Sequence, residues 1–338
     1  MAFRVRGLQR GELDQILACF QAAFGVDDES LSIVRNSLTN DPYFHPERVR
    51  VGLLDGDIVS HVVILHRGAY VGNHIITVAG ITAVATHPFY QNRGFGERVM
   101  QDVMRLVRQR GYDLAMLTTR VPRFFARFGF REAPSVIGFE CPASALARLS
   151  TESVCSIEKL DYNRQWPALA AIYHQWSQGR TGMQVRDMRY WETWPRRGTF
   201  PYGFSSRLDA SGLVAVVEGQ LVAYAAAHSP PEQPHLAVTE LAHLRGHERA
   251  LLALLRSAAQ HFLAAGAGRA VLQVGGGAPV LAALEAEGVP LNVEVGPGLM
   301  VTFPNRNWLR TVGLRNADEA VEHLFRSPTP VLWKRDGY

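Results

Sequence analysis

The sequence predicts an α/β chain of the α+β kind, built as two tandem units, each a mixed, mostly antiparallel sheet flanked by helices. Three observations predict it. Hairpin signals stand between β-branched runs at Asp55-Gly56 and again at Glu218-Gly219. A long amphipathic helix follows each of them. Near residue 150 the order of elements starts again, and 338 residues leave room for two domains. The division is therefore set at 1–150 and 151–338.

Each element has its own reason. In 13–24, Leu13, Ile16, Leu17, Phe20 and Phe24 recur at helical spacing. "GVDDES" (25–30) is acidic and poorly periodic, which reads as a loop. "VRVGLLDGDIVSHVVIL" reads as two strands, and the apolar run 75–86 as a central strand. The next helix carries Val99, Val103, Leu106 and Val107 on one face. "YDLAMLTT" reads as a strand, and "RFFARFGF" as a short helix stopped at Gly129, where glycine supplies a left-handed cap. The second unit repeats the order: a helix over 165–176, a hairpin over 212–228, a long helix in "ERALLALLRSAAQHFL", a strand in "AVLQV" and a short helix ending at Gly288. Glu97, Arg98 and Arg105 recur as Glu248, Arg249 and Arg256, all at an offset of 151. Duplication explains this together with the repeated order, although Glu and Arg are common on solvated helix faces. "GLMVTF" and "ADEAVEHLF" near the end read as an ordinary core strand and helix.

Composition narrows the function. The net charge is +4, nearly all the positive charge is arginine, and Lys159 and Lys334 are the only lysines. No dense basic run supports a nucleic-acid surface. Cys19, Cys141 and Cys155 are scattered without metal-ligand spacing, which fits reduced thiols in a cytoplasm. No apolar run reaches membrane-spanning length, so neither a membrane nor nucleic acid is expected as a partner, and a homo-oligomer stays open.

The chemistry concentrates in "QNRGFG" (91–96), directly before a helix. The first N–H groups of a helix lack partners and meet the positive end of its dipole, so they attract anions. Gly94 and Gly96 keep side chains out of the approach, with Gln91 and Arg93 as flanks. No Gly-Lys-Ser/Thr follows, so this is not a P-loop, and the third glycine of a dinucleotide fingerprint is missing. Taken alone, the pattern is equally a tight turn.

The strand, Gln-x-x-Gly-x-Gly loop, helix, strand and short helix ending in Phe-Gly-Phe together resemble the GNAT acetyltransferase superfamily. "GITAVATHPFYQNRGFGERVM" and "FFARFGFREAP" look especially like its tandem-domain enhanced intracellular survival (Eis) type, whose second domain is degenerate. The resemblance implies two tandem GNAT-like domains with acetyl-CoA as co-substrate and an amine as acceptor. It implies that the strand ending Val84-Ala85-Thr86 splays from its neighbour to pair with the pantetheine arm. The backbone of Gln91, Asn92, Arg93, Gly94, Phe95 and Gly96 would take the pyrophosphate, and Thr118 and Thr119 the acetyl end. At the 151-residue offset, Gln91, Gly94 and Gly96 become Ala242, Arg245 and His247, so only one copy is expected to bind cofactor. Gly275–Gly277 reads as a plain turn.

The resemblance also exposes a departure. The tyrosine that the family often uses to protonate the leaving thiolate is Phe125 here. This leaves two functions open: N-acetyl transfer to a small-molecule or peptide amine, or non-catalytic acyl-CoA binding and sensing. A lysine-like amine with a pKa of ~10.4 must lose a proton before it attacks. The resemblance offers the terminal carboxylate of Tyr338 as the base, against a solvated tail. His87 is a base or a turn residue, and Tyr90 a loop-packing residue. Asp27, Asp28 and Glu29 would draw a cationic acceptor or else cap a helix. "YWETWPRRGTFPYGF" (190–204) lines a pocket or fills a corner.

Overall fold

The computed structural model describes residues 2–151, 155–193, 211–229, 234–273, 278–296 and 298–325. The first half runs β1 (Phe3–Gly7), α1 (Leu13–Phe24), α2 (Asp28–Thr39), β2 (Val49–Leu54), β3 (Asp57–Val71), β4 (His74–Thr86), α3 (Phe95–Gln109), β5 (Leu114–Thr118), α4 (Pro122–Ala126) and β6 (Arg131–Glu132). There follow β7 (Val136–Pro142), α5 (Ala143–Ala147), β8 (Ser156–Lys159), α6 (Tyr162–Ser177), β9 (Gln184–Val185), α7 (Met188–Thr193), β10 (Ser211–Val217), β11 (Gln220–His228), β12 (Leu236–His243) and α8 (Glu248–Ala264). The described chain closes with β13 (Arg269–Leu272), α9 (Ala278–Ala286), β14 (Asn292–Val295), β15 (Leu299–Thr302), α10 (Asn307–Thr311) and α11 (Ala317–Phe325).

Both predicted hairpins form. Asp55 and Gly56 take φ of 50° and 110°, and Glu218 and Gly219 take 49° and 80°, the left-handed pair that matches strand twist. One element was not anticipated: "GVDDES" leads into α2, with Asp27 as its N-cap. Only Leu38 of α2 is buried, so the helix has almost no apolar stripe for a periodicity argument to find.

The sheets repeat one order. The first runs β1-β2-β3-β4-β5-β15-β6, with β9 added beside β3, and the second runs β8-β10-β11-β12-β13-β7-β14. In each, a parallel pair (β4–β5, β12–β13) is embedded among antiparallel neighbours. The expected boundary at residue 150 divides the sequence, yet the sheets exchange one strand each across it. β7, from the first half, sits between β13 and β14, while β15 returns to fill the place between β5 and β6.

α3 covers one face of the first sheet, where Val99, Met100, Val103, Met104 and Val107 pack with Val62, Ile64 and Ile81. α1 covers the other face, with Ile16 against Val51, Val63 and Ala83. Further along that sheet, Trp308, Leu309, Leu324 and Phe325 of α10 and α11 pack on Val78, Leu114 and Met116. In the second unit, α5, α8 and α9 bury Leu146, Leu254 and Leu284 in one core with the strands.

Candidate active site

The site begins with a failure of pairing. β4 and β5 run parallel through Val78–Leu114, Ala79–Ala115 and Gly80–Met116, and then separate. On its other side β4 stays bonded to β3 out to Thr86, but the register slips between the pairs His61–Ala85 and Val63–Thr82. Ala83, inside that slip, has a φ of 47°, a conformation that costs a non-glycine residue roughly 1–3 kcal/mol. A bulge of this kind bends one strand away from its neighbour. The strand thus splays as expected and leaves a V-shaped slot through the sheet.

The glycine loop stands at the mouth of this slot. Gly94 is the N-cap of α3 at φ 78°, a region that a side chain strains, and no side chain caps the helix. Gly96 is required for space instead: a Cβ there would lie 2.9 Å from the Thr86 hydroxyl oxygen. Gln91 donates from Nε2 to the Thr86 carbonyl at 3.1 Å, and Ser60 Oγ donates to the Ala85 carbonyl at 2.8 Å, which ties the loop to the strand end. The first-turn N–H groups of α3 therefore meet the cleft without a protein acceptor of their own from a cap.

The resulting cleft holds about 1290 Å³. It gathers Val84, Thr86, Gln91, Asn92, Gly94, Phe95, Gly96, Thr118 and Thr119 of the expected cofactor set. Two members stand apart. Ala85 is buried at 3% exposure, and Arg93 lies over the rings of Phe95 and Tyr90 at 5.1 and 5.6 Å. The exchanged strand supports one wall: the Thr119 N–H donates to the Gly298 carbonyl at 2.9 Å, and Leu299 pairs with Thr118. Gly298 itself has φ 72°, and a Cβ on it would fall 1.9 Å from the Thr119 carbonyl oxygen.

Several lining residues escaped the sequence reading as site residues. Phe20 and Phe24 were assigned to an amphipathic helix face, yet they line the cleft, as do Ile81, Thr82, Leu117, Arg120, Val121, Phe124 and Arg127. The signal for Phe24 was its place on the last turn of α1, where 53% of it remains exposed. Phe125 lines the cleft while packing edge-on to Phe124 and Phe130.

Asp27, Asp28 and Glu29 are not among the described residues that line the cleft; they form the cap and first turn of α2. Asp27 accepts the Ser30 N–H at 2.7 Å as the cap of α2, and that bond holds its carboxyl below the usual range. Asp28 accepts from Gln21 at 2.8 Å, and Glu29 follows on the same first turn. His87 accepts the Phe89 N–H at 3.4 Å and caps the short turn before the loop. Burial pushes the Cys19 thiol up to about 11 and the Cys141 thiol to about 12, which keeps both protonated at neutral pH. Of the aromatic stretch 190–204, Tyr190 and Trp191 are buried in a core cluster, and residues 194–204 lie, like Tyr338 and Gly275–Gly277, outside the described residues.

The second half treats its equivalent junction differently. Parallel pairing between β12 and β13 ends at Val238–Leu272, and β12 continues to His243. The connection to α8 is only 244–247, against 87–94 in the first half. Ala242, which the constant offset placed in a loop, is therefore a fully buried strand residue. The offset holds for the helices and fails for the strands, because the second connection is shorter. Past the end of pairing, Glu240 takes two hydrogen bonds from Arg186, at 2.7 and 2.9 Å, and one from the Tyr224 hydroxyl at 2.5 Å. Arg186 lies over the rings of Tyr173, Tyr190 and Trp191.

Comparison with known proteins agrees with this architecture. The acetyltransferase (GNAT) domain family matches residues 4–133. No curated protein matches the chain in sequence. In three dimensions the chain is similar to a conserved protein of Enterococcus faecalis, with TM-score 0.70, 14% identity, and coverage of 90% of this chain and 73% of that one. A GCN5-related N-acetyltransferase of Anabaena variabilis gives 0.69, 15%, 90% and 73%. Eis1 of Mycobacterium abscessus gives 0.65, 17%, 92% and 76%. The splayed strands and the glycine loop lie within the part that the family model covers: residues 4–133 match the acetyltransferase (GNAT) domain family, and the chain shares a mixed α/β fold with these solved structures.

Proposed function

We propose that the chain is an acetyl-CoA-dependent N-acetyltransferase acting on a primary amine of a small molecule or peptide. The observation that carries this reading is the slot beyond Gly80 and Met116, with an uncapped helix start and two glycines at its mouth. These groups fit the cofactor. The backbone of 91–96 suits a pyrophosphate, and the unpaired edge of β4 at 82–86 suits an extended amide-bearing arm. Bound acetyl-CoA supplies the acetyl group as a thioester. The chain's own part is to hold that arm, keep water out with Ile81, Leu117 and Phe125, and admit the amine.

The amine must also lose a proton. We assign this step to Tyr338, which lies outside the described residues. In support, α11 ends at Phe325 against the first sheet, on the α1 side. Deleting Tyr338 alone should lower the rate about 100-fold, as a misplacement of a few ångströms does, with acetyl-CoA affinity unchanged. An unaltered rate would remove Tyr338 from the mechanism. A cytoplasmic place of action completes the proposal, consistent with three cysteines that are all free thiols.

One observation favours a second reading, acyl-CoA binding without turnover: Phe125 offers no hydroxyl where the family often has one. Release of CoA thiol with a panel of amines decides between the two. Binding of acetyl-CoA with background release for every amine would establish the sensor.

A further inference from the structure

The slot joins two faces of the first sheet that differ in chemistry. On the α3 side are glycines, backbone N–H groups and the amides of Gln91 and Asn92. On the α1 side the cleft wall is aromatic: Phe20 and Phe24, one turn apart, have ring centroids 4.5 Å apart with planes tilted by 34°. Phe24 leaves 53% of its surface exposed in a concave site, and Val121, in the same cleft, leaves 59%. Apolar surface of this size inside a cleft favours an apolar occupant.

The charges point the same way. Glu97 is the one carboxylate among the described lining residues, and it is bound to Arg127 at 2.9 Å. Arg120 adds a further positive charge to the lining. The acids nearest to Phe24 in sequence, Asp27, Asp28 and Glu29, are not among the described residues of this lining. A polycation would meet no free carboxylate along this lining and would add its charge to that of Arg120. A single amine on an aromatic body would meet two rings, whose faces also attract one ammonium before it is deprotonated.

We propose that Phe20 and Phe24 form the acceptor subsite, and that the acceptor class is a monoamine on an aromatic or bulky apolar body rather than a polyamine. This rests on the transfer reading for the direction of approach, but the pocket can be tested without turnover. Binding of 2-phenylethylamine and of spermidine is measured by calorimetry with CoA present and with CoA absent. Acetylation of both is followed with acetyl-CoA. The expected result is that 2-phenylethylamine binds at least about tenfold more tightly than spermidine. Phe24→Ala should weaken that binding about tenfold, with acetyl-CoA affinity unchanged, and Phe24→Leu should retain most of it. Because Phe24 is half exposed, its substitution leaves the core intact, and Phe20→Ala serves as the second variant. Preference for spermidine, no binding of either amine, or full affinity in both alanine variants would overturn the subsite. Tight, Phe24-dependent binding of 2-phenylethylamine without acetylation of any amine would uphold the subsite and overturn transfer instead.

Discussion

In the first half the chain uses residues 87–94 to pass from β4 to α3, whereas residues 244–247 suffice between β12 and α8. Both fourth strands outrun their parallel partner, and both slip in register against the third strand. The opening in the sheet is therefore a property of the fold, common to the two halves. What differs is its content. The longer connection carries glycines, and its slot stays open. In the second half, Glu240, Arg186 and Tyr224 fill the equivalent region with a hydrogen-bonded polar cluster. A repeated strand order thus keeps its shape readily, and what distinguishes the two openings is a few residues of loop and one buried ion pair.

The largest effect should come from breaking that pair. The side chains of Arg186 and Glu240 are only 4% and 11% exposed. Glu240→Ala would leave the guanidinium buried without its bidentate partner, at a cost of ~3–5 kcal/mol in unfolding free energy. Replacing both, Arg186→Met with Glu240→Leu, should recover much of this, and acetyl-CoA affinity should not move. A loss below ~1 kcal/mol in the single variant would mean that the cluster does not hold the second half together.

Next in size is the loss of cofactor from the first half. Gly96→Trp would set a ring where even a Cβ meets Thr86 at 2.9 Å, and affinity should fall by at least ~100-fold, or about 2.7 kcal/mol. Titration of the unaltered protein should give one acetyl-CoA per chain. Two equal sites would erase the contrast between the halves.

Acid should expose a smaller difference. Burial pulls His61 and His66, both on β3, down to about 4. An unfolded histidine titrates near 6.5, so between roughly pH 6.5 and 4 the unfolded chain binds the extra protons. Stability is then full above pH 6.5 and falls as the pH drops toward 4. For the fully buried His61 the slope reaches about 1.4 kcal/mol per pH unit, and the less buried His66 adds less. His61→Leu should flatten the decline measured by urea unfolding at pH 7 and 5. An unchanged slope would shift the acid sensitivity to other groups, among them His243 of the second half, which burial also lowers.

The smallest effect is expected at Phe125. If departure of the thiolate limits turnover, Phe125→Tyr should raise kcat a few-fold and leave acetyl-CoA affinity alone. No change in an already active enzyme would show that this position needs no acid.

The parts of the site that act locally could be read from the sequence. Gly94 is fixed by its own φ and by the helix it opens, and both hairpin turns declare themselves in two residues. Phe20 and Phe24 were visible as a helical stripe, but periodicity cannot say whether a ring faces a core or a cleft. α2 was missed because it buries almost nothing. The slot depends on where β4 stops pairing with β5, which family resemblance suggested and no local pattern encodes. The exchange of β7 and β15 was hidden for a stronger reason. "GLMVTF" reads as a strand wherever it pairs, and its partners Leu117 and Arg131 lie far back in the chain.

That exchange also orders events in time. The place between β5 and β6 is filled by Leu299–Thr302, so a ribosome that has finished residue 133 has released a sheet with a missing member. At a synthesis rate of 5–20 residues per second, the absent strand emerges roughly ten to thirty seconds later. During that interval the edges of β5 and β6 offer unpaired backbone to any passing strand. The half that holds the cleft therefore cannot mature first and wait for its companion. A fragment cut at residue 150 should be prone to self-association, and the intact protein should fold late and as one cooperative body.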